Sequence, residues 1–185
     1  MASSELEHIT AHYEKCWGSK GEATTWNFGP TWHLTPGFHV SVFPRSKRRK
    51  MWTYATCGMS QQNDAPALEL HLFSPMRTES HIELLTVIAH YHLTGEYLDV
   101  GHTVNFGRPW LPESRCDHGL ISLPYLDGPK LEWLDWAGNK IRFLWLVPIS
   151  AAEVEYKKLH GLEALEARFE ECRFDYLNPL RKSAT

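Results

Sequence analysis

The sequence predicts an α+β fold in which helices flank a mixed, mainly antiparallel sheet. Apolar residues recur at helical spacing at both ends and in the middle of the chain. Several segments between them alternate with a period of two, as strands do. The predicted helices and strands do not alternate strictly, which argues against an all-parallel α/β sheet.

The size of the chain is that of one ordinary domain. Its 185 residues, 43% of them hydrophobic, are enough to bury a core without disulfides or a structural metal. The sequence contains no linker and no internal repeat, so we expect residues 1–185 to form a single domain. The four cysteines are widely spaced, without a C-x-x-C pair, and are predicted to be reduced thiols.

The charge pattern restricts the partners. Nineteen Lys and Arg against 22 Asp and Glu give a net charge of −3, which argues against a general nucleic-acid binder or a membrane-surface protein. No apolar run approaches the ~20 residues that span a bilayer. The first residues are polar and acidic rather than typical of a secretory signal, so we expect a cytoplasmic protein.

The first predicted element is an amphipathic helix over residues 4–17. Ser4 and Glu7 have the spacing of a capping box, and apolar residues follow at helical spacing. Three strands come next, at residues 39–43, 51–57 and 68–73. The basic run 45–50 is expected to be a hairpin loop. In the third strand the leucines face one way and Glu69 and His71 the other, which predicts one buried face and one more polar face.

A largely buried central helix is predicted between Ser80 and Gly95. Ser80 and Glu83 again have capping-box spacing, and the helix is apolar over a wide surface. Short strands around residues 103–106 and 120–123 lie in a stretch rich in Gly and Pro. Because binding residues are concentrated on loops, we expect function to lie in this stretch.

The last third of the chain has the sharpest boundaries. The nearly continuous apolar run 141–147 predicts a central strand covered on both faces. Ser150 and Glu153 form a third capping box, and Ile149 and Val154 occupy hydrophobic-staple positions, so a helix is predicted to begin at residue 151. Gly161 ends it, and a final helix follows.

Five segments carry a recognisable pattern: residues 52–60 (WTYATCGMS), 69–72 (ELHL), 83–91, 101–104 (GHTV) and 143–149 (FLWLVPI). Together, and in this order, they resemble the suppressor-of-fused domain. The resemblance covers roughly residues 25–175. The W-x-Y-x-x-x-G-x-S strand, the Gly-His turn and the V-P-I-[ST]-x-x-E helix start are far more specific in combination than alone.

The resemblance implies a protein-binding module without catalysis or cofactor. In animals such a domain, joined to a second domain, sequesters zinc-finger transcription factors of the hedgehog pathway by clamping a short extended peptide. Bacterial versions of about this length are linked by their genomic neighbourhood to immunity proteins that neutralise polymorphic toxins. The length of this chain favours the bacterial kind, so the resemblance predicts an immunity-type protein that inhibits a toxin.

The resemblance also implies where a partner binds. In the animal proteins a Tyr late in the central helix and an Asp immediately before the His of the turn contribute to the peptide site. Tyr91 matches the Tyr, but Gly101 precedes His102 directly and the nearest acid is Asp99. Peptide specificity is therefore not carried over. We expect a partner-binding groove between the helix end and the turn, lined by Tyr91, Asp99, His102 and Trp110.

Other interpretations of the same residues stay open. A small metal-dependent hydrolase would need a His/Asp centre built on His102, Asp117 and His118, although no metal motif is present and the sequence predicts no metal site. His102 is also suited to a structural role, bonding backbone in its turn. The basic run 45–50 is typical of a solvated loop, with an acidic partner or nucleic acid as alternatives.

Overall fold

The computed structural model describes residues 2–29, 31–61, 66–95 and 97–185. The strands are β1 (Glu22–Thr24), β2 (His39–Phe43), β3 (Trp52–Cys57), β4 (Leu68–Ser74), β5 (Thr103–Asn105), β6 (Cys116–Ser122), β7 (Trp133–Trp136) and β8 (Asn139–Ser150). The helices are α1 (Ala2–Trp17), α2 (Ser80–Thr94), α3 (Pro129–Glu132), α4 (Ala151–His160) and α5 (Leu162–Glu171), with a 3₁₀ turn at Thr31–His33.

The strands form one mixed sheet in the order β1-β2-β3-β4-β8-β6-β5. All neighbours are antiparallel except β4 and β8, which run parallel at the centre of the sheet. The long strand β8 pairs with β7 through its first residues and with β6 through its last. This architecture confirms the predicted α+β class with a mainly antiparallel sheet.

Helices cover both faces of the sheet. Helix α2 packs on the face that carries the leucines of β4, and its buried side chains include Leu85 and Ile88. The opposite face is covered by α1 around Tyr13 and by α4 and α5 around Val154. At roughly 25 cal/mol per Å² of buried apolar surface, these contacts are the main favourable term in folding. No described helix has the length and apolar character needed to cross a bilayer.

The prediction that only one face of β4 is buried is wrong. Glu69 and His71 are both 0% exposed, and every residue of the strand is buried. The alternation itself is correct, since the leucines and these polar residues do face opposite ways. Helix α1 covers the second face, with Trp17 against His71, so hydrogen bonds rather than water must satisfy Glu69.

The predicted capping boxes have different outcomes. Ser150 and Glu153 form both reciprocal hydrogen bonds at the start of α4, as predicted. Helix α2 has no such box, because the Ser80 hydroxyl bonds Thr78 and the Glu83 carboxylate pairs with Arg108. Helix α1 begins at Ala2, so Ser4 lies within the helix. Its predicted capping box rests on a side chain outside the described part of the structure.

Candidate partner-binding groove

A groove of about 290 Å³ lies where α2 ends and β5 begins. The rings of Tyr91, Tyr97 and His102 line it, together with Gly101, Thr103 and Lys157. Tyr91 and Tyr97 are each 45% exposed, so both rings present apolar surface and a hydroxyl to solvent. The groove therefore combines aromatic surface with one cationic side chain.

His92 holds the chain that follows α2 against the helix. Its Nδ1 accepts a hydrogen bond from the Leu98 amide at 3.0 Å, so the ring proton is on Nε2, which donates to the Pro66 carbonyl at 3.1 Å. Burial lowers the pKa of His92, although the bond to Pro66 acts in the other direction. The neutral ring thereby fixes Leu98 beneath the groove and Tyr97 at its rim.

A tight turn places His102. The Asp99 carbonyl accepts a hydrogen bond from the His102 amide at 3.0 Å, and Gly101 has φ +83°, a left-handed conformation that glycine adopts without strain. Two further bonds tie the turn to β6, since the Gly101 amide donates to Ile121 and the Ile121 amide donates to His102. The backbone is thus fixed while the His102 ring stays exposed.

Lys157 brings α4 to the groove. Its ammonium group donates a hydrogen bond to the Gly101 carbonyl. Burial lowers the pKa of Lys157, with a smaller effect in the same direction from Lys158. The side chain therefore both supports the turn and supplies a positive charge beside the two tyrosines.

Two of the four residues predicted to line the groove lie in its wall, and the other two do not. Tyr91 and His102 lie in its wall. Asp99 is next to it, with a side chain that is 61% exposed and lies 3.5 Å from Arg142. Trp110 is elsewhere: it is 3% exposed, stacks on His81, and donates its ring N–H to Ser114. The inclusion of Trp110 in the groove is therefore a wrong expectation, because its ring fills the core beside α2.

Tyr97, His92 and Lys157 contribute to the groove but were missed by sequence reasoning. Tyr97 had a usable signal, since it lies in the loop that follows the helix and such loops run over the protein surface. His92 and Lys157 had none. Burial of His92 depends on its contact with Pro66, and Lys157 reaches the groove from a distant helix.

The residues of the alternative metal centre do not converge. Asp117 and His118 are hydrogen-bonded to each other at 2.7 Å, and His118 is opposite Asn105 in the sheet. His102 is bonded to Ile121 instead, three residues further along β6, or about 10 Å at the rise of a strand. Among the residues that the structure describes, no group of three or more metal-ligating side chains is found.

Cys116, which directly precedes Asp117 and His118 in the sequence, is not an activated nucleophile. Cys116 is 2% exposed, and burial raises the pKa of its thiol, which favours the unreactive protonated form. Its side chain is buried in the core near Trp110, whereas His118 is bonded to Asp117.

A comparison with family models shows where this fold belongs. The model described as Suppressor of fused protein (SUFU) matches residues 35–182. The chain belongs to the suppressor of fused family. The match includes both elements of the groove, the end of α2 and the Gly101-His102 turn, and the suppressor of fused domain is a protein-binding domain.

Solved structures of the suppressor of fused family have the same fold. A SUFU homolog from Neisseria gonorrhoeae is 32% identical, with a TM-score of 0.88 over 99% of this chain and 98% of that one. A Sufu protein crystallised in a complex with Fu is 16% identical, with a TM-score of 0.72 over 97% and 92% of the two chains. No curated protein shows significant similarity.

The Drosophila Suppressor of Fused is a longer relative. It is 14% identical to this chain, with a TM-score of 0.69 over 97% of this chain and 51% of the Drosophila chain. This chain therefore spans about half of the Drosophila protein. At this identity the likeness shows the fold alone.

Proposed function

We propose that this protein is a non-enzymatic binding domain that sequesters a protein partner in the cytoplasm, as an immunity-type protein neutralising a toxin. One observation carries the proposal: the groove lined by Tyr91, Tyr97 and His102 opens beside β5, a strand at the edge of the sheet. The family supports a protein as the partner, since a related Sufu protein was crystallised with Fu.

The geometry suits an extended segment of the partner. An edge strand can accept a further strand through backbone hydrogen bonds, and alternate side chains of that strand then enter neighbouring pockets. Thr103 belongs both to β5 and to the groove wall, so a segment added along β5 would run beside the groove and could place a side chain in it. Aromatic residues in such positions dominate the energy of many interfaces.

The test is affinity capture from a lysate of the source cell, followed by mass spectrometry. The bait is the wild-type protein, compared with a groove variant carrying Tyr91→Ala and His102→Ala. A matched control carries Tyr125→Ala and His8→Ala, an exposed Tyr in the loop after β6 and an exposed His on α1, which packs on the sheet face opposite to α2. We expect one protein that is retained by the wild type and the control and lost from the groove variant.

The captured protein is then expressed alone and together with the wild-type chain. If it is a toxin, it arrests growth alone, and co-expression of the wild type but not of the groove variant restores growth. The proposal is wrong if all three baits retain the same proteins. A captured protein without toxicity would keep the binding function and contradict the immunity role.

A further inference from the structure

The loop between β2 and β3 is a folded turn rather than an open hairpin tip. It contains five basic residues in the six positions 45–50. The Ser46 amide donates to the Arg49 carbonyl at 2.7 Å, and the Arg49 amide donates to the Ser46 hydroxyl at 3.1 Å. These reciprocal bonds close the turn and fix the backbone between the two residues.

One of the five basic side chains anchors this turn to the body of the protein. The two terminal nitrogens of Arg49 lie 2.5 and 3.5 Å from the two oxygens of Asp127. The same guanidinium lies over the rings of Trp17 and Phe73, 5.1 and 5.3 Å from their centroids. Because a two-pronged arginine pair fixes direction as well as distance, the turn is held in one orientation.

The other four basic side chains remain available. Arg45, Lys47, Arg48 and Lys50 are all exposed. Within the described residues, none of these four has an acidic side chain within ion-pair distance. The protein as a whole carries a charge of −3, so this turn concentrates positive charge on an otherwise acidic molecule.

We propose that the turn 45–50 is a second interaction surface that binds a short acidic segment of a protein partner. A loop that only kept the protein soluble would need the charges but not the anchor. Because the backbone of the turn is already fixed, less entropy is lost when its four exposed cations pair with carboxylates. Nucleic acid is disfavoured because a polyanion extending beyond the turn would meet a protein of net negative charge.

This surface is separate from the groove. Arg49 packs against Phe73, which lies on the face of β4 opposite to the leucines that contact α2. The groove is formed at the end of α2. The proposal therefore does not depend on the proposed function of the groove.

The test measures binding of a fluorescent octaglutamate peptide by polarisation at low and at moderate salt. The loop variant replaces all four exposed cations with Gln: Arg45→Gln, Lys47→Gln, Arg48→Gln and Lys50→Gln. A control makes the same change in net charge at four exposed cations in other loops and turns: Lys20→Gln, Arg115→Gln, Arg173→Gln and Lys182→Gln. Arg49 stays in place in both proteins, so the anchor is intact.

We expect the loop variant to lose about tenfold or more in affinity for octaglutamate, since four exposed ion pairs are removed. The control and the groove variant Tyr91→Ala with His102→Ala should bind as the wild type does. Equal losses in loop variant and control would attribute binding to net charge and overturn the proposal. Absence of wild-type binding, or tighter binding of octathymidylate than of octaglutamate, would overturn it as well.

Discussion

The carboxylate of Glu153 is held by the guanidinium of Arg181 through two hydrogen bonds of 2.7 and 2.8 Å in the protein interior. It also accepts bonds from the amides of Ser150 and Ala184. Burial alone would raise the pKa of Glu153, but the hydrogen bonds and charge of Arg181 lower it. One side chain thus joins the start of α4 to the last residues of the chain.

Arg181→Met is expected to lower the free energy of unfolding by about 3–5 kcal/mol, because it leaves a buried carboxylate without its partner. Urea denaturation measures this loss. The control is Lys158→Met, which breaks the exposed pair with Glu155 and should cost less than about 1 kcal/mol. Similar losses in the two variants would contradict a structural role for the buried pair.

His71 is expected to make the protein sensitive to acid. Burial lowers its pKa from 6.5 to about 4, and neither ring nitrogen has a hydrogen-bond partner in the described structure. Between these two pH values the unfolded chain binds more protons at this position than the folded protein. The free energy of unfolding should therefore fall as the pH decreases from 6.5 towards 4.

His71→Leu should remove this part of the pH dependence, measured by urea denaturation across that range. Because the ring makes no hydrogen bond to any residue that the structure describes, we expect the variant to be nearly as stable as the wild type at neutral pH. His160→Leu, at an exposed position, should keep the wild-type slope. If the free energy of unfolding of His71→Leu depended on pH as that of the wild type does, His71 would not be the source of the acid sensitivity.

Glu69 is expected to change the free energy of unfolding with pH in the direction opposite to His71. Its carboxylate accepts hydrogen bonds from Thr56, from the Gly58 amide, and from the amide and hydroxyl of Ser60. Burial nevertheless raises its pKa from 4.5 to about 7. The folded protein then binds more protons here than the unfolded chain, so this contribution to stability is lost as the pH rises through 7.

Two substitutions separate the charge of Glu69 from its hydrogen bonds. Glu69→Gln should flatten the pH dependence between 4.5 and 7 while keeping an acceptor for the amides of Gly58 and Ser60. Glu69→Ala leaves both buried amides without an acceptor and should cost roughly 3 kcal/mol or more at any pH. Equal stability profiles for the two variants would refute this explanation.

Trp110 should affect folding rather than partner binding. Trp110→Ala removes a buried ring and is expected to cost about 3–5 kcal/mol in urea denaturation. Trp32→Ala, at a ring that is 74% exposed, should change stability by less than about 0.5 kcal/mol. A stable Trp110→Ala protein that had lost its partner would restore the residue to the binding surface.

Local signals in the sequence predicted much of the fold. The bonds of the Ser150-Glu153 box join residues three apart, so the sequence contains all that is needed to recognise it. The Ser80-Glu83 box had the same spacing and failed, because Arg108 approaches Glu83 from a distant loop. Strands β1 and β7 have three and four residues, too few to show a period.

The candidate site was also predicted only in part, because some of its features depend on contacts between distant parts of the chain. Tyr91 and His102 stand beside a helix end and a glycine turn, both readable from the sequence. The burial of Trp110 depends on its stacking against His81 of α2, and Lys157 acts through a carbonyl of the turn. Such contacts depend on how elements pack in three dimensions, which composition and spacing do not encode.

The parallel pairing of β4 with β8 also sets the order in which the molecule can be completed. Leu68 is opposite Arg142, so α2, β5, β6 and β7 must all be synthesised before the centre of the sheet can close. Closing so long a loop is entropically costly and slows folding. Until β8 pairs with it, β4 is an unpaired edge strand whose side chains on both faces are ones that the folded protein buries. A partly folded molecule is therefore most exposed to pairing with another copy along β4, which the finished protein hides at its centre.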